Sequence, residues 1–430
     1  MNAGCLTNTG RPIPAGRLTR AAAALVLLAI ALLPRPATAQ EPGAAGPEPA
    51  TRAEALRRLR EAKAGDLEAP EPGRLERALL DLESGRFMER LLNPPQGLYP
   101  RVGNITAGSG IAFGPGYRQP GLFGGHADVQ ATSAASFAEY WMIDTSVRLP
   151  RLSGGRLTLD VHGRRYSFPD QELFGLGPAS RREDLTTYGI SGTVAGGGVS
   201  YRPVDWLQLG GSADWLSHGV DAGSEPGEIL SLFDGSTLPG AAAAPDYVVY
   251  GADLSVDYAD PRGNARRGGR YRIGVRRFED LDGEAYAFTR VDADLRQYLP
   301  FVHGRRVLAL RALASLTEAG ARSAVPFFLQ PTLGGPDDLR GFRRFRFRDR
   351  NALLLQGEYR WEIFTAMDGV LFYDAGMVAP HVDELSLGAL ETDYGFGFRF
   401  GTVNGIFLRV EGAFGSTGGR HFILRFGDAF

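Results

Sequence analysis

The residues best equipped for chemistry lie in one stretch of the chain and in the two strands that follow it. From Pro326 to Asn351 the sequence reads PFFLQPTLGGPDDLRGFRRFRFRDRN, with arginines at 340, 343, 344, 346, 348 and 350. A guanidinium offers five donors in a planar fork and keeps its proton, so one arginine can satisfy two carboxylates at once. Carboxylates with period-two spacing come next. Gln356, Glu358, Arg360 and Glu362 share one face of one strand, and Asp368, Val370, Phe372 and Asp374 share one face of another. Gly341, beside Arg340, allows a tight backbone turn at a loop tip. The arginines beyond 340 read as a solvated charged loop; lipopolysaccharide phosphates or a lumen wall are the other settings that suit them.

Other reactive chemistry is not signalled. Histidines at 126, 162, 218, 303, 381 and 421 form no HExxH pair, so no zinc site is expected. His162 shares a strand face with Asp160 and Arg164 and reads as a pore-lining residue. Asp280-Leu281-Asp282-Gly283-Glu284 lacks the later ligands of a calcium loop and reads as a charged turn. There is no GxSxG elbow, P-loop or dinucleotide fingerprint, and the expectation is no enzyme, no cofactor and no metal.

The elements that position these residues follow from composition. Lys+Arg number 47 and Asp+Glu 49, a formal charge of −2, so no global field favours nucleic acid. Hydrophobic residues make up 43%, yet the longest apolar run, Ala21 to Leu33, is shorter than the roughly 18 residues a spanning helix needs. Glycine supplies 58 of 430 residues, roughly twice the usual ~7%, which argues for strands and turns. Arg11, Arg17 and Arg20 before that run, with Ala37-Thr38-Ala39 after it, mark residues 1–39 as a signal peptide. The sole cysteine, Cys5, falls inside it. Residues 40–99 read as a flexible leader followed by short amphipathic helices, Thr51 to Ala64 and Arg74 to Leu92. These helices either pack on a larger body or act as a partner-binding or plugging segment.

Beyond residue 100 the period becomes two. Val248, Tyr250, Ala252, Leu254 and Val256 alternate with Val249, Gly251, Asp253 and Ser255. Arg272, Arg276, Arg290, Asp292, Asp294, Arg296, Arg409 and Glu411 all fall on the less greasy faces, which suits a wet lumen better than a sandwich core. The spacing predicts about sixteen strands, the first over 101–113, the eleventh over 323–329 and the last over 421–427. Short turns such as Phe364 to Ala366 alternate with long loops such as Ser217 to Pro245. The fold class is therefore all-β: an antiparallel transmembrane barrel of about sixteen strands over 100–430, behind a short helical periplasmic segment. Phe422, Leu424, Phe426 and Phe430 share a parity that resembles the terminal signal read by barrel-assembly machinery, an expected partner for this chain's own insertion.

Three motifs in order carry a family resemblance. Leu339-Arg340-Gly341-Phe342 is similar to the Arg-Gly-Phe/Tyr tip of the inward-folded sixth loop, here 330–350, of the BamA/TamA outer-membrane-assembly barrels of the bacterial surface antigen family. Leu355-Gln356-Gly357-Glu358-Tyr359 resembles the strand that brings a carboxylate toward that loop. Phe372-Tyr373-Asp374-Ala375-Gly376 resembles the family's aromatic-x-Asp-x-Gly strand, and Phe174-Gly175-Leu176-Gly177-Pro178 a family-like turn. The resemblance implies that Asp374 faces inward and that Arg340 bridges Glu358 and Asp374, either as a structural lock or as part of gating. It implies a protein of the Gram-negative outer membrane that assists insertion or translocation of proteins, with outer-membrane lipids, lipopolysaccharide and unfolded barrel clients as partners. The weak seam would join 101–113 to 421–427. Residues 40–99 are too short and too helical to read as the family's POTRA repeats. A passive pore or surface antigen that keeps only the fold is the alternative.

Overall fold

In the computed structural model, described for residues 96–106, 108–223, 238–242, 244–260, 264–302, 304–364, 366–402 and 405–426, the period-two stretches are strands. They are β1 (Gly97–Gly103), β2 (Ala112–Gly121), β3 (Ala127–Ser136), β4 (Trp141–Leu152), β5 (Leu157–Leu173), β6 (Thr186–Val204), β7 (Leu207–Ala222), β8 (Tyr247–Asp257), β9 (Gly268–Asp280), β10 (Phe288–Phe301) and β11 (Arg306–Ala319). Two short strands, β12 (Thr332–Leu333) and β13 (Phe347–Arg348), pair only with each other inside the next connection. Then come β14 (Asn351–Phe364), β15 (Met367–Ala379), β16 (Glu391–Thr402), β17 (Gly405–Gly415) and β18 (Arg420–Phe426). Sixteen of them form one antiparallel sheet in chain order, with β11 pairing directly to β14. This is the expected sixteen-stranded barrel. The signal peptide and the leader helices lie outside the described residues.

Two strand assignments differ from expectation, and they cancel in the count. Residues 101–113 are not one strand: β1 ends at Gly103 and β2 begins at Ala112. Between them Gly108 and Gly110 take φ of +82° and +64°, a left-handed backbone that turns the chain. Residues 323–329 are not a strand either. Pro326 starts a single 3₁₀ turn, Phe327–Leu329, whose Phe327 packs with Leu173, Tyr188 and Leu238.

Parity separates two solvents. On β15 and β16, Leu371, Tyr373, Tyr394, Phe396 and Phe398 are exposed, while their neighbours Phe372, Asp374, Asp393 and Arg399 are buried. Apolar side chains outward and charges inward reverse the arrangement of a soluble core. A bilayer solvates such a surface, and every interior ladder bond is satisfied between strands. Connections at one rim are short, such as those between Val204 and Leu207 and between Phe364 and Met367. At the other rim several are long, the longest running from Ala319 to Asn351. That last one is loop six. Replacing Phe396, mid-strand on the outward face, with Arg places a charge in hydrocarbon. We expect Phe396→Arg to cost about 2–4 kcal/mol in urea unfolding of the lipid-embedded barrel; an unchanged midpoint would show that this face does not meet lipid.

Candidate functional site

Loop six turns back into the barrel on an apolar hairpin. β12 and β13 form its neck, and its tip is a run of tight turns: the Asp338 amide donates to the Gly335 carbonyl, the Gly335 amide to Leu339, and the Phe342 amide to Leu339. Leu333, Leu339, Phe342 and Phe347 of the loop pack against Ala352, Leu354 and Val378 of β14 and β15. This burial supplies the cohesion, because each such side chain gains about 1.5–3 kcal/mol on leaving water. Gly376, on β15, leaves room for the Leu333 side chain, which would lie 3.0 Å from an added Cβ.

Those contacts deliver Arg340, 1% exposed, to a cluster of wall charges. Its Nε and Nη2 donate to the two Asp374 oxygens at 2.6 and 2.7 Å, and its Nη1 donates to Glu358 Oε1 at 2.7 Å. Its guanidinium carbon sits 3.6 Å from the centre of the Phe372 ring, a cation–π contact on the remaining face. Burial alone would favour the neutral base, but Asp374, then Glu358 and Glu411, hold Arg340 charged to well above its ordinary range. Glu358 is shared: Arg360 Nε reaches its Oε2 at 2.8 Å and Arg399 Nη2 its Oε1 at 2.5 Å. Arg399 also bonds Glu411 at 3.3 Å, and Arg409 Nη2 donates to the Pro336 carbonyl of the loop at 3.0 Å. Asp393 faces Asp374 across the β15–β16 ladder. Arginines 340, 360, 399 and 409 thus stand against carboxylates 358, 374, 393 and 411, all buried. Opposite charges facing one another make such burial possible, since an isolated ion there would cost several kcal/mol.

The sequence reading named Arg340, Glu358, Asp374 and Phe372 together, and the structure brings them into contact. It does not bring Glu362 or Asp368 there; both lie near Arg266, with Asp368 3.0 Å from its Nη2. Arg399, Glu411 and Asp393 were not linked to the site beforehand. Their parity on β16 and β17 was the available signal, and it could not say which of many inward charges would meet the loop. Gly341 plays a different part from the one expected. It is not among the residues with positive φ, so the tip does not use it as a left-handed turn. Its missing side chain instead allows close approach: a Cβ there would lie 2.5 Å from the Gly415 amide nitrogen and 2.6 Å from the Asp393 Cβ. Gly419 reciprocates, since a Cβ on it would lie 2.2 Å from the Gly341 carbonyl. The loop tip is seated on the β17–β18 turn.

The arginines beyond 340 are not a solvated run. Arg348 is buried and donates to the Phe327 carbonyl at 2.8 Å, while its own carbonyl accepts from the Gly177 amide at 2.8 Å. Arg346 donates to the Ser180 carbonyl at 2.6 Å and lies over the Phe347 ring, and Arg343 pairs with Glu172. The stretch from Glu172 to Ser180, around the Phe174–Pro178 turn, is therefore a dock for loop six, because the Glu172 carboxylate, the Phe174 ring and the Ser180 carbonyl compete successfully with water for Arg343 and Arg346. His162 bridges Asp160 and Asp214 at 3.2 and 3.0 Å in the lumen, and no metal-holding cluster occurs among the described residues. Phe422 and Leu424 point outward; the Phe426 side chain and Phe430 lie outside the described residues.

The stretch from β8 to the β17–β18 turn, with loop six inside it, matches a known family model, described as the Omp85 superfamily domain. The match spans residues 246–417. Omp85 proteins are outer-membrane β-barrels, and this chain has their fold. It is similar to BamA from Haemophilus ducreyi lacking POTRA domains 1-3, with a TM-score of 0.57 and 11% identity over 85% of this chain and 80% of that one. CdiB from Acinetobacter baumannii gives a TM-score of 0.47 and 12% identity over 76% of this chain and 57% of that one. No curated protein matches the sequence. The Omp85 match contains the buried charge network around Arg340, from Pro336 to Glu411.

Removing the guanidinium leaves buried carboxylates without their partner. Arg340→Ala should destabilise the barrel by about 3–5 kcal/mol, read as loss of heat-modifiable gel mobility at lower temperature, and Arg340→Lys should rescue little because an ammonium lacks the fork. Unchanged mobility in both would remove the lock. Asp338, on the loop, adds a pH dependence. Burial pushes its carboxyl up to about 6, with Asp337 and Asp374 adding to the rise and Arg311 opposing it. A folded pKa above the unfolded value means that stability is present at low pH and is lost as pH rises toward 6. Asp338→Asn should therefore be more stable than the parent above pH 6, by on the order of 1–3 kcal/mol, and equal to it near pH 4; urea midpoints across that range test the sign.

Proposed function

We propose that this barrel works in the outer membrane of a Gram-negative bacterium and assists the insertion or translocation of other proteins by opening between β1 and β18. The seam supports this reading. β1 and β18 end the ladder order, and both line one cavity of about 1060 Å³ together with Arg340 and the loop-six tip. Each is seven residues long, whereas the other strands of the sheet have ten or more among the described residues. Few ladder bonds then resist parting, and a parted edge offers N–H and C=O groups that an incoming strand can pair. The buried network on β14–β17 would hold the rest of the wall while the seam moves. Unfolded barrel proteins are the clients this implies, and surrounding lipid is the medium the opening exposes.

A second reading has its own observation. Towards β1–β6 the lumen holds a polar cavity of about 570 Å³, lined by Arg101, Asp144, His162 and Arg164 among others. A passive pore would use that space with the seam shut. Reconstitution in liposomes separates the two. The chain should accelerate folding of a second barrel severalfold. A cleavable bis-maleimide between Val102→Cys and Phe422→Cys should abolish the acceleration, and cleaving the linker should restore it. Ion conductance with no acceleration would favour the pore, and acceleration indifferent to the bridge would overturn opening at the seam.

A further inference from the structure

The seam cavity has two unlike ends. Toward the bilayer its lips are Val102, Ile111, Phe422 and Leu424, at 51, 64, 75 and 62% exposure. Toward the lumen it is lined by Arg343, Arg344 and Arg425. Two of these cations are matched, Arg343 by Glu172 and Arg425 by Asp337. Arg344, half-buried, has no hydrogen bond or ion pair among the described residues. Burial, then the neighbouring Arg425, weigh against its charge more than Asp337 and Asp338 support it. A guanidinium drawn partly out of water with no ion pair among the described residues is a place where an arriving anion is stabilised.

We propose that this cavity binds a phosphate-bearing lipid of the outer leaflet, its acyl chains between the lips and its phosphate on Arg344. The inference rests on the seam reading above and names what occupies the seam at rest. Three arguments fix the occupant. The planar fork of arginine matches phosphate geometry, and Arg425 is close enough to add charge. The cavity is bounded by the β1–β2 connection and loop six, which both belong to the long-loop rim, the outer rim of such barrels, so it is reached from the outer leaflet. Finally, the lips are open to hydrocarbon, which acyl chains fill without unsatisfied backbone, whereas a peptide strand would leave Arg344 unmatched.

Native mass spectrometry of the detergent-released full chain tests this with bis-phosphorylated lipid A as the probe. One lipid A should be retained per barrel. Dephosphorylated lipid A should bind about tenfold more weakly, and Arg344→Gln should weaken lipid A to a similar degree, the loss of one charge-assisted contact. Arg267→Gln, exposed at the opposite rim, should change nothing. Arg344 donates no bond among the described residues, so heat-modifiable mobility of Arg344→Gln should match the parent. Equal binding by Arg344→Gln, or by the dephosphorylated lipid, would overturn the proposal. Full displacement by millimolar inorganic phosphate would also overturn it, by assigning the site to a free anion. If a synthetic strand of residues 420–430 fills the cavity and lipid A does not, the lipid proposal fails while the seam reading stands. If lipid A binds but no second barrel is accelerated, the seam reading fails and the lipid site stands.

Discussion

A single guanidinium, withdrawn from water and met by carboxylates on two neighbouring strands, sets where the longest loop of this protein must lie. Arg340 can be buried only where Glu358 and Asp374 present their oxygens, and those positions are fixed by the pairing of β14 with β15. The loop's leucines and phenylalanines favour burial anywhere apolar. The charges make burial specific, because any other placement leaves an ion unpaired at a cost of several kcal/mol. Non-directional attraction holds the loop in, and directional pairing fixes where it sits.

The consequence is a barrel with an uneven interior. Around β14 to β17 the wall charges are dry and cross-linked through Arg340, Arg399 and Glu411. Around β4 to β7 the lumen charges, such as Arg164 with Asp144 and His162 with Asp214, keep contact with solvent. Exposed pairs of that kind contribute about 0–1 kcal/mol each and rearrange freely. Rigidity is thus concentrated beside loop six, and the strands opposite form the more compliant part of the wall.

Much of this was legible in the sequence, because strand periodicity is a local property. Alternation alone put Gln356, Glu358 and Arg360 on one face and Phe372 and Asp374 on another, and those faces are the inward ones. The family resemblance of Leu339-Arg340-Gly341-Phe342 supplied the partner choice. What was not legible depends on contacts between distant parts of the chain. The turn glycines Gly415 and Gly419 look like any hairpin glycines until the tip is seated on them. Arg348 looks solvated until the Phe327 carbonyl and the Tyr188 and Phe327 rings meet it. The misplaced strands at 101–113 and 323–329 share another cause: glycine and apolar runs fit a strand or a packed turn equally well, and only backbone φ and burial tell them apart.

The order of synthesis bears on the same site. The sheet pairs strands in chain order, so the wall can grow by successive hairpins with little loop to close. Arg340 is an exception. Every charged partner it meets lies downstream of it, from Glu358 to Glu411, and its seat on Gly415 and Gly419 comes later still. A chain that has reached only β14 offers Arg340 one carboxylate, Glu358, and neither Asp374 nor Glu411. Seating of loop six therefore reports that the last hairpin has arrived, which makes it a checkpoint of completion as well as a lock.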